Sequence, residues 1–259
     1  FTVAATDMYK TKGVEKIVFA DNANASLTLD NEFFTYGGIT SVIVDDTDVR
    51  GTYTVSGANL LAANSIDVRT SGGAIVDTIT GGAGDDSATF DTTAATGLQA
   101  TDTFDGNGGT DTLNINLTVN NLTAVTLTLV SDIEKINITG SGAYTAGITL
   151  ADGNFVTQTV GGVLYAVEGM IDGSGMVGSG ALTVVGTAED DSKLNITGGR
   201  GGDILTGGTK ADTITGGFGA DTITGGPGID ILTGGPGNDI FSVGTAANAL
   251  ALTSAEVIS

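Results

Sequence analysis

The strongest constraint on the fold is a run of five consecutive nine-residue units, here called nonads, that fills residues 198–242. They read GGRGGDILT, GGTKADTIT, GGFGADTIT, GGPGIDILT and GGPGNDIFS. Each nonad opens with two glycines and carries Asp at its sixth position and one large apolar residue at its eighth. The Asp residues are Asp203, Asp212, Asp221, Asp230 and Asp239. Five matches in one register indicate a structural repeat.

The residue types within a nonad predict a turn followed by a short strand. Glycines at the first, second and fourth positions allow the backbone to adopt positive φ and to turn tightly. The last three residues predict a strand whose eighth-position side chain points inward. Two nonads then make one coil of a flattened all-β roll, and nonads eighteen residues apart stack on each other.

Stacking predicts two columns of carboxylates, one on each edge of the roll. Adjacent coils lie ~4.8 Å apart, so each Asp meets the loop of the next coil with peptide carbonyls between them. Such oxygen ligands suit Ca²⁺, which accepts six to eight of them, whereas stacked carboxylates without a cation repel. The predicted calcium ligands are Asp203, Asp221 and Asp239 on one edge, Asp212 and Asp230 on the other, and the turn residues Gly199, Gly201, Gly217, Gly219, Gly226, Gly228, Gly235 and Gly237.

Three less regular nonads precede this run, at residues 72–80, 81–89 and 106–114. They add Asp77, Asp86 and Asp111 as candidate calcium ligands. Asp77 and Asp86 are one nonad apart and are therefore expected on opposite edges, so each requires a partner from the irregular sequence nearby.

Lys210 departs from the nonad pattern, because it takes the place of the fourth glycine of its nonad. Its carbonyl can still bind an ion in the Asp212 and Asp230 column, but its ammonium group must point to solvent.

The segment GSGMVG (173–178) matches a dinucleotide-binding fingerprint, yet a β-rich sequence follows it where the motif needs a helix, so we expect no nucleotide site.

The order of segments repeats along the chain. VEKI (14–17) corresponds to IEKI (133–136), and in both halves a strand leads directly into nonads. The chain is therefore predicted to be two tandem modules: residues 1–131 with imperfect nonads (72–89, 106–114), and residues 132–259 with five (198–242). Within the first we expect short strands at 14–20, 25–29, 39–44, 51–55 and 65–70, and a helical turn at 56–64.

Composition excludes several classes of function. The net charge of −21 offers no basic stripe for nucleic acid. The absence of cysteine excludes disulfides, and the absence of histidine excludes a Ser-His-Asp triad and the histidine metalloprotease motif within this chain, so we expect no enzyme. No apolar run approaches the ~18 residues of a transmembrane segment.

The nonads resemble those of the RTX family, calcium-dependent proteins exported by bacterial type I secretion. That resemblance implies a right-handed parallel β-roll or β-helix, a solenoid with calcium ions between stacked turns. The Thr- and Asn-rich remainder is similar to the lattice-forming regions of RTX-type surface-layer proteins. It implies a structural role at the bacterial cell exterior, with further copies of the chain and cell-surface polysaccharide as partners.

Two other classes share the same repeats. An RTX adhesin would carry a ligand-binding face on the array, and a secreted enzyme would carry one calcium-binding region beside a catalytic domain. The duplicated modules argue against the enzyme-linked interpretation. In each case we expect folding to depend on external calcium.

Overall fold

The computed structural model describes residues 2–3, 12–19, 24–45, 51–70, 76–92, 98–118, 121–155, 158–160, 163–165 and 168–242. The glycine pair of the predicted nonad 72–80 and the chain after Ser242 lie outside these residues. The chain divides into two compact units, residues 1–116 with 129–133, and residues 117–128 with 134–259. The tandem-module interpretation, with its boundary at residue 131, stays a prediction.

In the first unit, successive strands alternate between two parallel sheets, ordered β1-β3-β5-β7-β9-β12 and β2-β4-β6-β8-β10. Each pair of strands with its two loops therefore makes one coil. The elements are β1 Thr2–Val3, β2 Lys16–Val18, β3 Ala25–Thr28, α1 Asn31–Gly37, β4 Ser41–Asp45, β5 Tyr53–Ser56, β6 Ser65–Thr70, β7 Asp77–Thr80, β8 Ser87–Asp91, β9 Thr103–Asp105, β10 Thr112–Leu117 and β12 Val130–Ser131.

The second unit has the same alternation, with sheets ordered β13-β17-β19-β21-β23 and β11-β14-β18-β20-β22-β24. Two further strands, β15 and β16, form an antiparallel pair. The elements are β11 Leu122–Thr126, β13 Lys135–Gly140, β14 Ala146–Thr149, β15 Gln158–Val160, β16 Val163–Tyr165, β17 Glu168–Met176, β18 Leu182–Val185, β19 Lys193–Thr197, β20 Ile204–Thr206, β21 Thr213–Thr215, β22 Thr222–Thr224, β23 Ile231–Thr233 and β24 Ile240–Ser242. The predicted all-β class and the parallel β-roll are confirmed.

The core of each unit lies between its two sheets, where register stacks apolar residues of like size. In the nonads these are the eighth-position residues, as the two-residue period of a strand requires. One column of the second unit contains Ile148, Val184, Leu205, Ile223 and Phe241, and the facing column contains Ile136, Ile171, Ile196, Ile214 and Leu232. All except Phe241 are buried.

The helix α1 was not predicted. Asp30 caps its N-terminus by accepting hydrogen bonds from the backbone N–H groups of Glu32 (3.0 Å) and Phe33 (3.1 Å), and Gly38 ends it in the left-handed conformation. The helical turn expected at 56–64 is instead two consecutive turns, closed by Leu60 N–H to Gly57 O and Asn64 N–H to Leu61 O. Over the described residues, α1 is the single helix and is far too short to cross a membrane.

The segment GSGMVG begins inside a strand. Gly173 to Met176 belong to β17, which pairs with β13 on one side and β19 on the other. The next element is the strand β18, Leu182–Val185, and not the helix whose N-terminus would hold a pyrophosphate.

Candidate metal centre

The nonad Asp residues stack in two columns that run along the edges of the second unit. Each Asp lies immediately before a strand, and its Oδ1 accepts the backbone N–H of the register-equivalent residue one coil earlier. The Asp203 N–H donates to Asp221 Oδ1 (2.7 Å), and the Asp221 N–H donates to Asp239 Oδ1 (3.0 Å). On the other edge, the Asp212 N–H donates to Asp230 Oδ1 (2.9 Å). The structure thus brings together the residues that the eighteen-residue spacing predicted to stack.

Each column begins where an apolar residue occupies the Asp position. The backbone N–H of Leu182 donates to Asp203 Oδ1 (2.7 Å), and that of Leu194 donates to Asp212 Oδ1 (2.9 Å). The carboxylates therefore connect successive coils through hydrogen bonds whether or not the preceding coil carries an Asp.

The second carboxylate oxygen has two different environments. In the first two nonads, Oδ2 accepts an N–H from the second glycine of the same nonad, Gly199 to Asp203 (2.6 Å) and Gly208 to Asp212 (2.7 Å). In the nonad 216–224 the N–H of Gly217 turns away and donates to Gly234 O (3.0 Å). Asp221 is fully buried, and its Oδ2 has no hydrogen-bond partner within the described chain. A buried oxygen in this state is costly unless a cation or proton meets it.

The first glycine of each nonad is required by close approach, not by its φ angle. Positive φ occurs at second and fourth glycines, for example 105° at Gly217 and 128° at Gly219. The predictions of positive φ at the first glycines, and at Gly199, Gly201, Gly208 and Gly237, are wrong. Instead, a Cβ added to Gly216 would collide with Asp221 Oδ2 and with Gly234 O of the next coil.

Carboxylate and carbonyl oxygens converge in the same way at other first glycines. At Gly198 and Gly207, the Asp Oδ2 of the same nonad and the carbonyl of the next stacked nonad both point at the space that a Cβ would fill. A set of charged and neutral hard oxygens around a small space is the ligand set that Ca²⁺ prefers. The residues present fit a calcium ion.

Burial gives these carboxylates unusual acidities. It raises the pKa of Asp203 and of Asp212 to about 6, against the hydrogen bonds from backbone N–H groups, which lower it. Burial also raises the pKa of Asp221 and Asp230. A cation beside the columns would remove this penalty because it stabilises the charged form.

The side chain of Lys210 points to solvent, as its position in the nonad requires. Its side chain is exposed, and its carbonyl oxygen lies against Gly228 of the next stacked nonad, where a Cβ would collide with it. The ammonium group is thus directed to solvent while the backbone carbonyl stays at the edge of the Asp212 and Asp230 column.

The first unit uses the same arrangement with longer coils. The Asp86 N–H donates to Asp111 Oδ1 (2.7 Å), and Asp86 itself accepts from Ile66 (2.7 Å) and Gly82 (2.6 Å). The stacked residues are 25 apart here, against 18 in the second unit. Asp86 and Asp111 are both buried.

The partner of Asp77 is Asp102, which the sequence analysis missed. The Asp77 N–H donates to Asp102 Oδ1 (3.1 Å), and Asp102 Oδ2 accepts from Gln99 (2.7 Å). Burial, followed by the charge of Asp102, raises the pKa of Asp77 to about 7. The signal was present: GLQATDTFD (97–105) has Asp at position six and Phe at position eight, although it lacks the glycine pair.

A parallel β-roll whose edges carry columns of buried carboxylates is the arrangement expected of calcium-binding nonapeptide repeats. The family model of the RTX calcium-binding nonapeptide repeat matches this chain in four copies, at residues 71–89, 95–114, 197–232 and 216–248. These four segments are RTX repeats, which bind calcium ions between their turns. The match at 95–114 includes both Asp102 and Asp111. No curated protein and no solved structure matches the chain.

Proposed function

We propose that this chain is a secreted structural protein that calcium folds outside the cell and that then assembles into a surface layer. The observation that carries the proposal is the presence of the same device, a column of buried Asp carboxylates between coils, in both units. A repeated array of this kind extends over distance and presents repeated surfaces. We expect it to have no catalytic activity of its own.

Calcium supplies the switch between export and folding in this proposal. A ligand that binds only the folded form stabilises it by ~2.7 kcal/mol per site at a hundredfold excess over its Kd. Where calcium is scarce, repulsion within a chain of net charge −21 keeps the protein unfolded. Outside the cell, calcium bound at several such sites folds it. This order of events suits type I secretion.

Exposed isoleucines on the outward sheet faces support self-association. In one sheet of the second unit, Ile204 and Ile240 flank Thr222 in register; in the other, Ile231 lies beside Thr213. Ile204 is 52% exposed, Ile240 is 63% exposed and Ile231 is 65% exposed. An exposed apolar side chain on an outward sheet face can be buried against another copy of the chain.

Electron microscopy of the purified chain before and after addition of calcium tests the proposal. Ordered sheets or arrays that form with calcium and dissolve with chelator are the expected result. The matched variant replaces Ile231 and Ile240 with Thr, the residue at the equivalent position of the neighbouring strand. It should still fold with calcium but should assemble poorly.

Persistent monomers in calcium would contradict the surface-layer proposal while leaving calcium binding intact. Binding to glycans or cells by such monomers would then favour an adhesin. Calcium-folded monomers without a binding partner would favour the calcium-binding region of a secreted enzyme.

A further inference from the structure

A second group of acidic side chains lies in the second unit outside the nonads. Asp152 follows β14, and Glu189 and Asp191 lie between β18 and β19. Because β14 and β18 are paired neighbours, the three side chains come from loops of adjacent coils. Carboxylate oxygens of all three lie within 4.8 Å of one another. None of them falls within a segment that matches the RTX repeat.

Glu189 is the buried member of this group and is incompletely satisfied. Its side chain is 0% exposed. Oε1 accepts the backbone N–H of Ser192 (3.2 Å), but no hydrogen-bond donor of the described chain reaches Oε2. No described Lys or Arg forms an ion pair with Asp152, Glu189 or Asp191. An unpaired buried carboxylate beside two more acids is unfavourable without a positive charge.

Buried hydrogen bonds hold both loops in place. In the first loop, the side chain of Asn154 accepts from the Ala151 N–H (2.7 Å) and donates to Leu127 O (2.7 Å). The Ser192 hydroxyl of the second loop donates to Phe155 O of the first (2.9 Å). The carboxylates are therefore placed by a fixed framework, as an ion site requires.

This group also lies at the start of one calcium column. The N–H of Thr209, in the loop that carries Asp212, donates to Glu189 O (3.0 Å). At this coil the register position of the column is occupied by Leu194, which cannot bind an ion through its side chain. The acidic group thus lies where the stack of nonads on this edge ends.

We propose that Asp152, Glu189 and Asp191 form an additional calcium site, outside the nonads, that ties the loop 151–155 to the loop 186–192. Three carboxylates from two loops provide the several hard oxygens and the flexible geometry that Ca²⁺ accepts, whereas Mg²⁺ demands a near-octahedral set. The site would complete the calcium column at its first coil.

The test counts calcium ions bound per chain by equilibrium dialysis at saturating calcium, using the full-length chain and calcium alone as the probe. Glu189→Gln removes the charge and keeps an acceptor for Ser192, and Asp152→Asn changes an exposed member. Each variant should bind one ion fewer than the unmodified chain. Asp190→Asn, an exposed acid of the same loop outside the group, is the control and should bind the full number.

The proposal is overturned if Asp152→Asn binds the full number of ions, even if Glu189→Gln fails to fold by circular dichroism. A negative result for this site would leave calcium binding by the nonads untouched. A nonad variant such as Asp221→Asn loses calcium without involving these loops.

Discussion

At the scale of residues, each nonad Asp has two separate roles. Oδ1 of Asp221 holds the previous coil by accepting the N–H of Asp203 (2.7 Å). Oδ2 faces Gly216 and the carbonyl of Gly234, and has no hydrogen-bond partner within the described residues. The first role is met by any carbonyl-type oxygen, whereas the second needs a cation or a proton.

Asp221→Asn separates these roles because the amide keeps an acceptor for the Asp203 N–H and loses the charge. Loss of a charged interaction costs about 1.5–3 kcal/mol, so the affinity of this site for calcium should fall by about tenfold or more, and the calcium concentration at half-folding should rise. Calcium titration followed by circular dichroism measures this midpoint. The control Asp190→Asn, on an exposed side chain, should leave it unchanged. An unchanged midpoint in Asp221→Asn would remove this residue from the calcium site.

At the scale of elements, the glycine pair that opens each nonad turn determined which stacked Asp residues could be predicted from the sequence. Strands and inward residues followed from periodicity alone, and the columns of the second unit followed from the eighteen-residue spacing of the glycine pairs. Asp102 was missed because its nonad lacks that pair, although Asp102 precedes Asp111 by one nonad. The group of Asp152, Glu189 and Asp191 had no sequence signal, since stacking of irregular loops brings it together.

Asp102→Asn tests whether the missed residue supports the first unit. The amide can accept from the Asp77 N–H through its oxygen, but its NH₂ group cannot accept from the Gln99 N–H as Oδ2 does (2.7 Å). An unsatisfied buried group costs about 1–3 kcal/mol, so hydrogen exchange in calcium should accelerate across 77–80 and 98–105. The control is Asp85→Asn, whose exposed amide oxygen can still accept from Thr110. Equal exchange in the two variants would contradict a structural role for Asp102.

At the scale of the whole molecule, charge opposes folding of the metal-free chain. The chain has thirty acidic and nine basic residues, so its net charge is −21. Eight Asp side chains within the described residues are buried, and one of them, Asp45, pairs with Lys16. The other seven lie in the carboxylate stacks of the roll: Asp77, Asp86, Asp102, Asp111, Asp203, Asp212 and Asp221. Protons and calcium ions are alternative ways of neutralising them, which makes stability depend on both.

Acidification should therefore partly replace calcium. Burial raises the pKa of Asp203 and Asp212 to about 6, above the ~3.9 of an unfolded Asp. The folded form then binds more protons, so its stability is greatest at low pH and falls as pH rises through about 6. In chelator, the β signal should be stronger at pH 5 than at pH 8. With limiting calcium, the same acidification should weaken calcium binding. A β signal in chelator that falls between pH 8 and pH 5 would contradict this sign.

Calcium between the nonad turns is expected to hold the roll together. The most direct measurement is far-UV circular dichroism of the full chain at neutral pH, first in excess chelator and then during addition of calcium, with magnesium as the control ion. We expect the β signal to be lost in chelator and to return cooperatively with calcium but not with magnesium. A chain that is equally folded in excess chelator would contradict it.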